Sequence, residues 1–269
     1  MYVNYSVGGD VRLGFLSGTE LLRLDGGPTD GLVATGFPAV PSDATVEDES
    51  HSFLPALLRP GKILCLLRSF RAHAEELGNE PPPEPLFFAK LPSALIGHGE
   101  PIVIPEDLEG EVHHEGELAL VIGRSGRRIP PERGMEHVAA LTVANDVTAR
   151  TRQKSDAAQG WPWTRGKSID TFLPLGPGLV PVDSVADPGR LDIDVQVNGQ
   201  ARQSGSTRQL LWPIGEIVAR LSRWIRLDPG DVILTGTPPG VGPIVPGDEV
   251  SVRISEIGRL VNPVGQEAL

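Results

Sequence analysis

Apolar and polar positions change rhythm several times along this chain, and each rhythm predicts a different element. Over residues 112–123 apolar and β-branched side chains run as a strand up to a stop at Gly123, so Glu115 and Glu117, two apart, project from one face. Residues 62–67 and 231–234 are short continuous apolar runs and read as buried strands, with further strands over 86–90 and 102–104. Residues 191–200 alternate strictly and reach Asn198-Gly199, a strong hairpin signal. A longer period governs residues 211–227, where Ile214, Ile217, Val218, Leu221, Trp224 and Ile225 form an apolar helical stripe that stops at Asp228-Pro229-Gly230. A second helix is predicted from Ser69 to Leu77, capped by Gly78 and followed by the stiff run Pro81-Pro82-Pro83-Glu84-Pro85, which makes it a candidate lid. Residues 134–144 read as a helix ending in a strand from Leu141 to Ala144, and residues 161–172 as a loop. Before Pro60-Gly61 lie short strands, turns at Gly8-Gly9 and Gly26-Gly27-Pro28, a short helix and an acidic linker over 43–49. The expected organisation is α+β and β-rich, with a small N-terminal β domain and linker over 1–57 and a larger domain over 58–269.

Composition narrows the function classes. The 269 residues are enough for one large core or two smaller ones, and 32 glycines with 26 prolines favour a turn-rich β fold over a helix bundle. A formal charge of -11 opposes nucleic acid and anionic membranes, which want a basic footprint, and leaves small molecules and metal cations as the easier partners. Cys65 is the single cysteine, so no intramolecular disulfide forms; between Ile63, Leu64, Leu66 and Leu67 it reads as a small buried hydrophobe. Neither a signal-peptide pattern nor a membrane-spanning apolar run is visible, so a cytoplasmic location is expected.

Candidate chemistry starts with Glu115 and Glu117. Two carboxylates aimed at one spot repel each other unless a cation sits between them, and hard divalent ions prefer such oxygens; the competing reading is the solvent-facing edge of a half-buried strand. Asp146, Arg150 and Gln153 are spaced to share one helical face, with Asp146 either a site residue or a helix cap. His73 and Glu76, three apart, share a face of the candidate lid helix. The stretch Thr235-Gly236-Thr237-Pro238-Pro239-Gly240-Val241-Gly242 lets backbone N–H groups approach an anion, yet lacks the ending of a phosphate-binding P-loop, so it points to a carboxylate.

Taken in order, Phe87-Phe88-Ala89-Lys90 with Pro92-Ser93-Ala94-Leu95-Ile96-Gly97, Glu115-Gly116-Glu117-Leu118-Ala119, Asn145-Asp146-Val147-Thr148-Ala149-Arg150 with Gln153, Lys167-Ser168-Ile169-Asp170-Thr171-Phe172, and Pro229-Gly230-Asp231 through Gly242 resemble the fumarylacetoacetate hydrolase family. The likeness runs from about Pro60 to the C-terminus. It implies a mixed β-sandwich roll with a small N-terminal domain, usually a homodimer. It also implies one Mg²⁺ or Mn²⁺ per subunit on Glu115, Glu117 and Asp146, a His73/Glu76 pair that activates water, and Lys167 polarising a carbonyl. Arg150, Gln153, Thr237 and Gly236 would then orient a small carboxylate substrate. The implied reaction is hydrolysis of a C–C bond in an acylpyruvate or related 2,4-dioxo acid through an enolate. The alternatives are an isomerase, tautomerase or decarboxylase of 2-hydroxymuconate-like or oxaloacetate-like acids, or a silent metabolite-binding relative. One departure stands out: where the family commonly has Gly-x-Asn-Tyr before the lid, this chain has Leu67-Arg68-Ser69-Phe70, and Leu67 and Arg68 are expected to narrow or recharge the pocket.

Overall fold

The structure, a computed structural model, describes residues 1–72 and 80–267; His73 and Glu76 lie outside the described residues. Three sheets organise the rest. The largest runs in the order Glu20–Leu24, Asp10–Ser17, Tyr2–Val7, Leu173–Pro181, Val138–Asn145, Gly116–Ile122, Val232–Leu234, Ile63–Leu67 and Leu86–Ala89, with two short strands beside this path. A five-stranded sheet is ordered Gln200–Ser206, Asp192–Val197, Glu249–Ile254, Gly258–Gln266 and Ile102–Ile104. A small third sheet pairs Thr148–Ala149, Val112–His114 and Gly242–Ile244. No helix among the described residues is long and apolar enough to cross a membrane.

The Gly116–Ile122 strand is buried throughout, which explains its nearly continuous apolar sequence. Leu118, Leu120 and Ile122 enter a core shared with Ile193, Val195, Val250 and Val252 and with Ile217 and Leu221 of the Ile214–Ser222 helix. Ala119 and Val121 face the other way, into a core with Ile63, Cys65, Leu173, Leu175, Val232 and Leu234. Each large aliphatic side chain buried like this contributes about 1.5–3 kcal/mol relative to exposure. Cys65 is fully buried, as its neighbours predict.

Several elements differ from the periodicity. The run over 112–123 is two strands that belong to different sheets and break at Glu115. The apolar helix is shorter than expected: it starts after Pro213 and ends at Ser222. Gly126 and Leu227 exchange two backbone hydrogen bonds of 2.9 Å, which claims the Leu227 N–H for a bridge, and Trp224 is left 74% exposed. Pro131–His137 forms a 3₁₀ segment and the strand already begins at Val138, drawn out by pairing with Gly116–Ile122. The Asn198-Gly199 turn behaves as its sequence predicts, with φ of 52° and 74° joining Asp192–Val197 to Gln200–Ser206.

Gly116 sits where the large sheet crosses the five-stranded one, and a Cβ there would lie 2.4 Å from Val195 Cγ2 and 2.9 Å from Val252 Cγ1. Both neighbours are packed β-branched side chains in a filled core, so neither has room to retreat. Gly116→Ala is therefore expected to destabilise the protein by about 1–3 kcal/mol, read as a lowered denaturant midpoint. An unchanged midpoint would show that the sheets can separate without cost.

Candidate metal centre

Two neighbouring strands leave the large sheet at the same level. Gly116 pairs with Asn145 inside that sheet, and His113 pairs with Thr148 inside the small one. Glu115 and Asp146 lie in the gap, where neither backbone is held in a strand. The gap is stapled: Glu115 N–H donates to Asn145 Oδ1 at 2.9 Å and Asp146 N–H to the Glu115 carbonyl at 2.8 Å. Glu117 comes from two residues further along the strand, on the face of Ala119 and Val121. Asp146 is not a helix cap, because the next helix begins at Arg150 behind Ala149.

One ligand oxygen from each of Glu115, Glu117 and Asp146 lies within 4.8 Å of the others, and all three residues are buried. The surface-edge reading of the glutamate pair is thereby overturned. Cations surround the cluster. Lys167 Nζ donates to Glu115 Oε2 at 2.8 Å and to Asp146 Oδ2 at 2.6 Å. Lys90 Nζ donates to Asp146 Oδ1 at 2.7 Å, and Arg150 Nη2 to Glu115 Oε1. Gly236 N–H donates to Glu117 Oε2 at 2.6 Å. Buried carboxylates persist only with such partners. An all-oxygen donor set converging from separate segments suits a hard divalent cation, so these residues can hold one.

The electrostatics of the two key groups differ. Burial, reinforced by Asp146 and Glu115, pushes the Glu117 carboxyl well above its usual range. Burial pulls the Lys167 ammonium down, but Asp146 and Glu115 outweigh it and its pKa ends raised. A cation at the triad would compete with a proton for the Glu117 carboxyl. Its apparent affinity is expected to fall by about tenfold per pH unit once pH drops below the raised Glu117 value, which lies above 4.5. Mn²⁺ titrations across pH would show this; a midpoint at an ordinary carboxylate value would contradict it.

Glu115 and Glu117 open on a cavity of about 210 Å³ whose polar lining also includes Arg68, Arg150, Gln153, Lys154, Lys167, Gly236 and Thr237. Every candidate from the sequence that lies among the described residues thus lines this cavity or, for Asp146, is bonded to Lys167 in its lining. Arg150 Nη1 also donates to Gln153 Oε1, and Thr237 Oγ1 donates to the Gly116 carbonyl at 2.9 Å. The N–H of Gly236 is directed at Glu117. Its φ is +88°, and a Cβ would fall 1.9 Å from Ser69 Oγ, so only glycine fits.

Two contributors were not singled out as site residues by the sequence. Lys90 reads as an ordinary end-of-strand lysine, yet it is 2% exposed. Gln203 lies on Gln200–Ser206, the edge strand of the five-stranded sheet, and is buried. Its Oε1 accepts from Gly116 N–H at 3.1 Å and contacts His114 Nδ1 at 3.1 Å, while Nε2 donates to Thr237 Oγ1 at 2.7 Å. Gln203 thereby ties the glutamate segment to the glycine-rich loop. A glutamine at an inward-facing position of an otherwise polar-out strand was the available signal.

Comparison with known proteins follows the same lines. The family profile described as "Fumarylacetoacetate (FAA) hydrolase C-terminal" matches residues 62–265. A human mitochondrial oxaloacetate tautomerase is 43% identical over 220 residues, covering 79% of this chain and 69% of its own. The structure of a 5-carboxymethyl-2-hydroxymuconate delta-isomerase from Mycobacterium smegmatis superposes with a TM-score of 0.80 at 37% identity, covering 100% of this chain and 99% of that one. A fumarylpyruvate hydrolase from Pseudomonas aeruginosa, solved with Mn²⁺ and pyruvate, matches with a TM-score of 0.74 at 35% identity over 80% of this chain and 92% of its own.

Proposed function

This chain belongs to the fumarylacetoacetate hydrolase family, and on that premise we propose that it is a divalent-cation-dependent enzyme that hydrolyses a C–C bond of a 2,4-dioxo acid of the acylpyruvate type. The observation that carries this reading is the buried Glu115/Glu117/Asp146 cluster with Lys167, a lining residue of the cavity, bonded to two of its members. We assign Mg²⁺ or Mn²⁺ to the cluster, one ion per chain. When bound, such an ion supplies fixed positive charge that polarises a carbonyl and favours negative charge on its oxygen.

The chain's own residues supply the rest. Lys167, protonated and held by Glu115 and Asp146, presents a fixed ammonium to a carbonyl oxygen that gains charge as it is attacked. Arg150 holds Glu115 and Gln153 in register, and Thr237 faces the same space. His73 takes a proton from water, with Glu76 steadying the ring; the water oxygen adds to the acyl carbon, the C–C bond breaks, and the electron pair leaves as the enolate of a 2-oxo acid. That enolate is protonated on carbon. The same reading carries a small-molecule carboxylate substrate and a homodimer in the cytoplasm.

A second reading, tautomerisation or isomerisation without attack by water, is favoured by the likeness to the human oxaloacetate tautomerase and the mycobacterial isomerase. Both readings require the cation. EDTA should stop turnover of acetylpyruvate and Mg²⁺ should restore it; turnover without metal defeats both. In ¹⁸O-labelled water the hydrolase places the label in the new carboxylate. Enol–keto conversion with no labelled carboxylate would replace hydrolysis by tautomerisation.

A further inference from the structure

The cavity holds four cationic side chains, Arg68, Arg150, Lys154 and Lys167, and they are not equivalent. Lys167 and Arg150 are bound to the acidic cluster. Lys154 is exposed to solvent. Arg68 is half-buried in the wall, and its guanidinium makes no hydrogen bond or ion pair with any described residue.

Its backbone is the second observation. Arg68 follows the Ile63–Leu67 strand at φ +54°, the left-handed region that L side chains seldom occupy. The neighbours hold it there: Leu67 pairs with Leu86, Ser69 Oγ donates to the Thr235 carbonyl at 2.5 Å, and the Ser69 carbonyl accepts from Leu211 N–H at 2.8 Å. Glycine would take this backbone without strain, yet the position carries an arginine at the wall of the cavity. Strain held by its surroundings at a cavity wall points to function.

The same cavity is also lined by the apolar side chains of Leu66, Leu67, Phe88 and Trp163. A ligand suited to these surfaces together has an oxo-acid head for the cluster, a short hydrocarbon portion for the apolar side chains and a second anion for Arg68. Resting on the reading of the cluster given above, we propose that Arg68 binds the distal carboxylate of the substrate, so that the enzyme selects 2-oxo or 2,4-dioxo dicarboxylic acids over their monocarboxylic counterparts. Arg68 is then a specificity-determining residue, bidentate toward a carboxylate as guanidinium geometry favours.

Calorimetric titration of the Mn²⁺-loaded protein with 2-oxoglutarate and with 2-oxopentanoate tests this, since the two differ only by a terminal carboxylate in place of a methyl group. The expected result is a preference of about 10- to 100-fold for the diacid. That preference should fall to near one in Arg68→Gln and return in part in Arg68→Lys. Arg68→Gly is expected to lose the preference while its Tm stays level or rises, which separates recognition from a structural role. A preference unchanged in Arg68→Gln, or an equal weakening toward both acids, overturns the assignment while leaving the cluster's role standing. Failure of both acids to bind, or binding indifferent to EDTA, overturns the reading of the cluster and this inference with it.

Discussion

Asp146→Asn is expected to reduce turnover by about 10³-fold or more and to weaken Mn²⁺ binding in parallel, because it removes one of three anionic oxygens from the proposed cation site, where the ion would stabilise developing charge. It should also change the stability of the metal-free protein. Asp146 is the shared anion of Lys90 and Lys167, and all three side chains are at most 2% exposed. Neutralising it leaves two buried ammonium groups short of a counter-ion, which typically costs about 3–5 kcal/mol. Thermal unfolding with and without Mn²⁺ measures both effects, since a ligand bound only by the folded state raises Tm. Wild-type Mn²⁺ affinity in Asp146→Asn would remove Asp146 from the site.

Lys167→Met separates the cation from the chemistry. Losing the ammonium should slow turnover by about 10²–10³-fold, as expected for a fixed donor to an oxygen that becomes negative. Cation binding should hold or tighten, because Glu115 Oε2 and Asp146 Oδ2 no longer share a positive neighbour. The pairing of slower turnover with undiminished Mn²⁺ affinity is the signature of a group that acts on substrate. Equal losses in both would make Lys167 a support for the ligands instead.

Much of this site can be read along the chain, for definite physical reasons. Glu115 and Glu117 are visible because a spacing of two marks a shared direction, and they do converge. The reason is only half the expected one. Glu117 is set by the pleat, whereas Glu115 sits in a break where the chain passes between sheets, and periodicity carries no sign of that passage. Asp146 is assigned by its motif; its position in the matching break depends on pairing between segments some thirty residues apart. Lys90 was missed because a lysine after a strand normally ends in water, and only the three-dimensional neighbourhood supplies the carboxylate that draws it inside. Local turn chemistry was easier: Asn198-Gly199 needs no distant partner to specify its hairpin. The overlong helix reading failed for the opposite reason, since Leu227 is captured by Gly126 a hundred residues earlier.

The twin breaks at Glu115 and Asp146 mean that the two segments bearing the clustered carboxylates share one frame. Two hydrogen bonds across those breaks, from Glu115 N–H to Asn145 Oδ1 and from Asp146 N–H to the Glu115 carbonyl, tie the two carboxylate-bearing residues to each other. Arg68 and the Trp163 wall hang from other parts of the chain. If the proposed roles hold, sequence drift in those outer parts would retune which acid is accepted while the spacing of Glu115 and Asp146 is kept, so that selectivity would evolve separately from the grip on an ion.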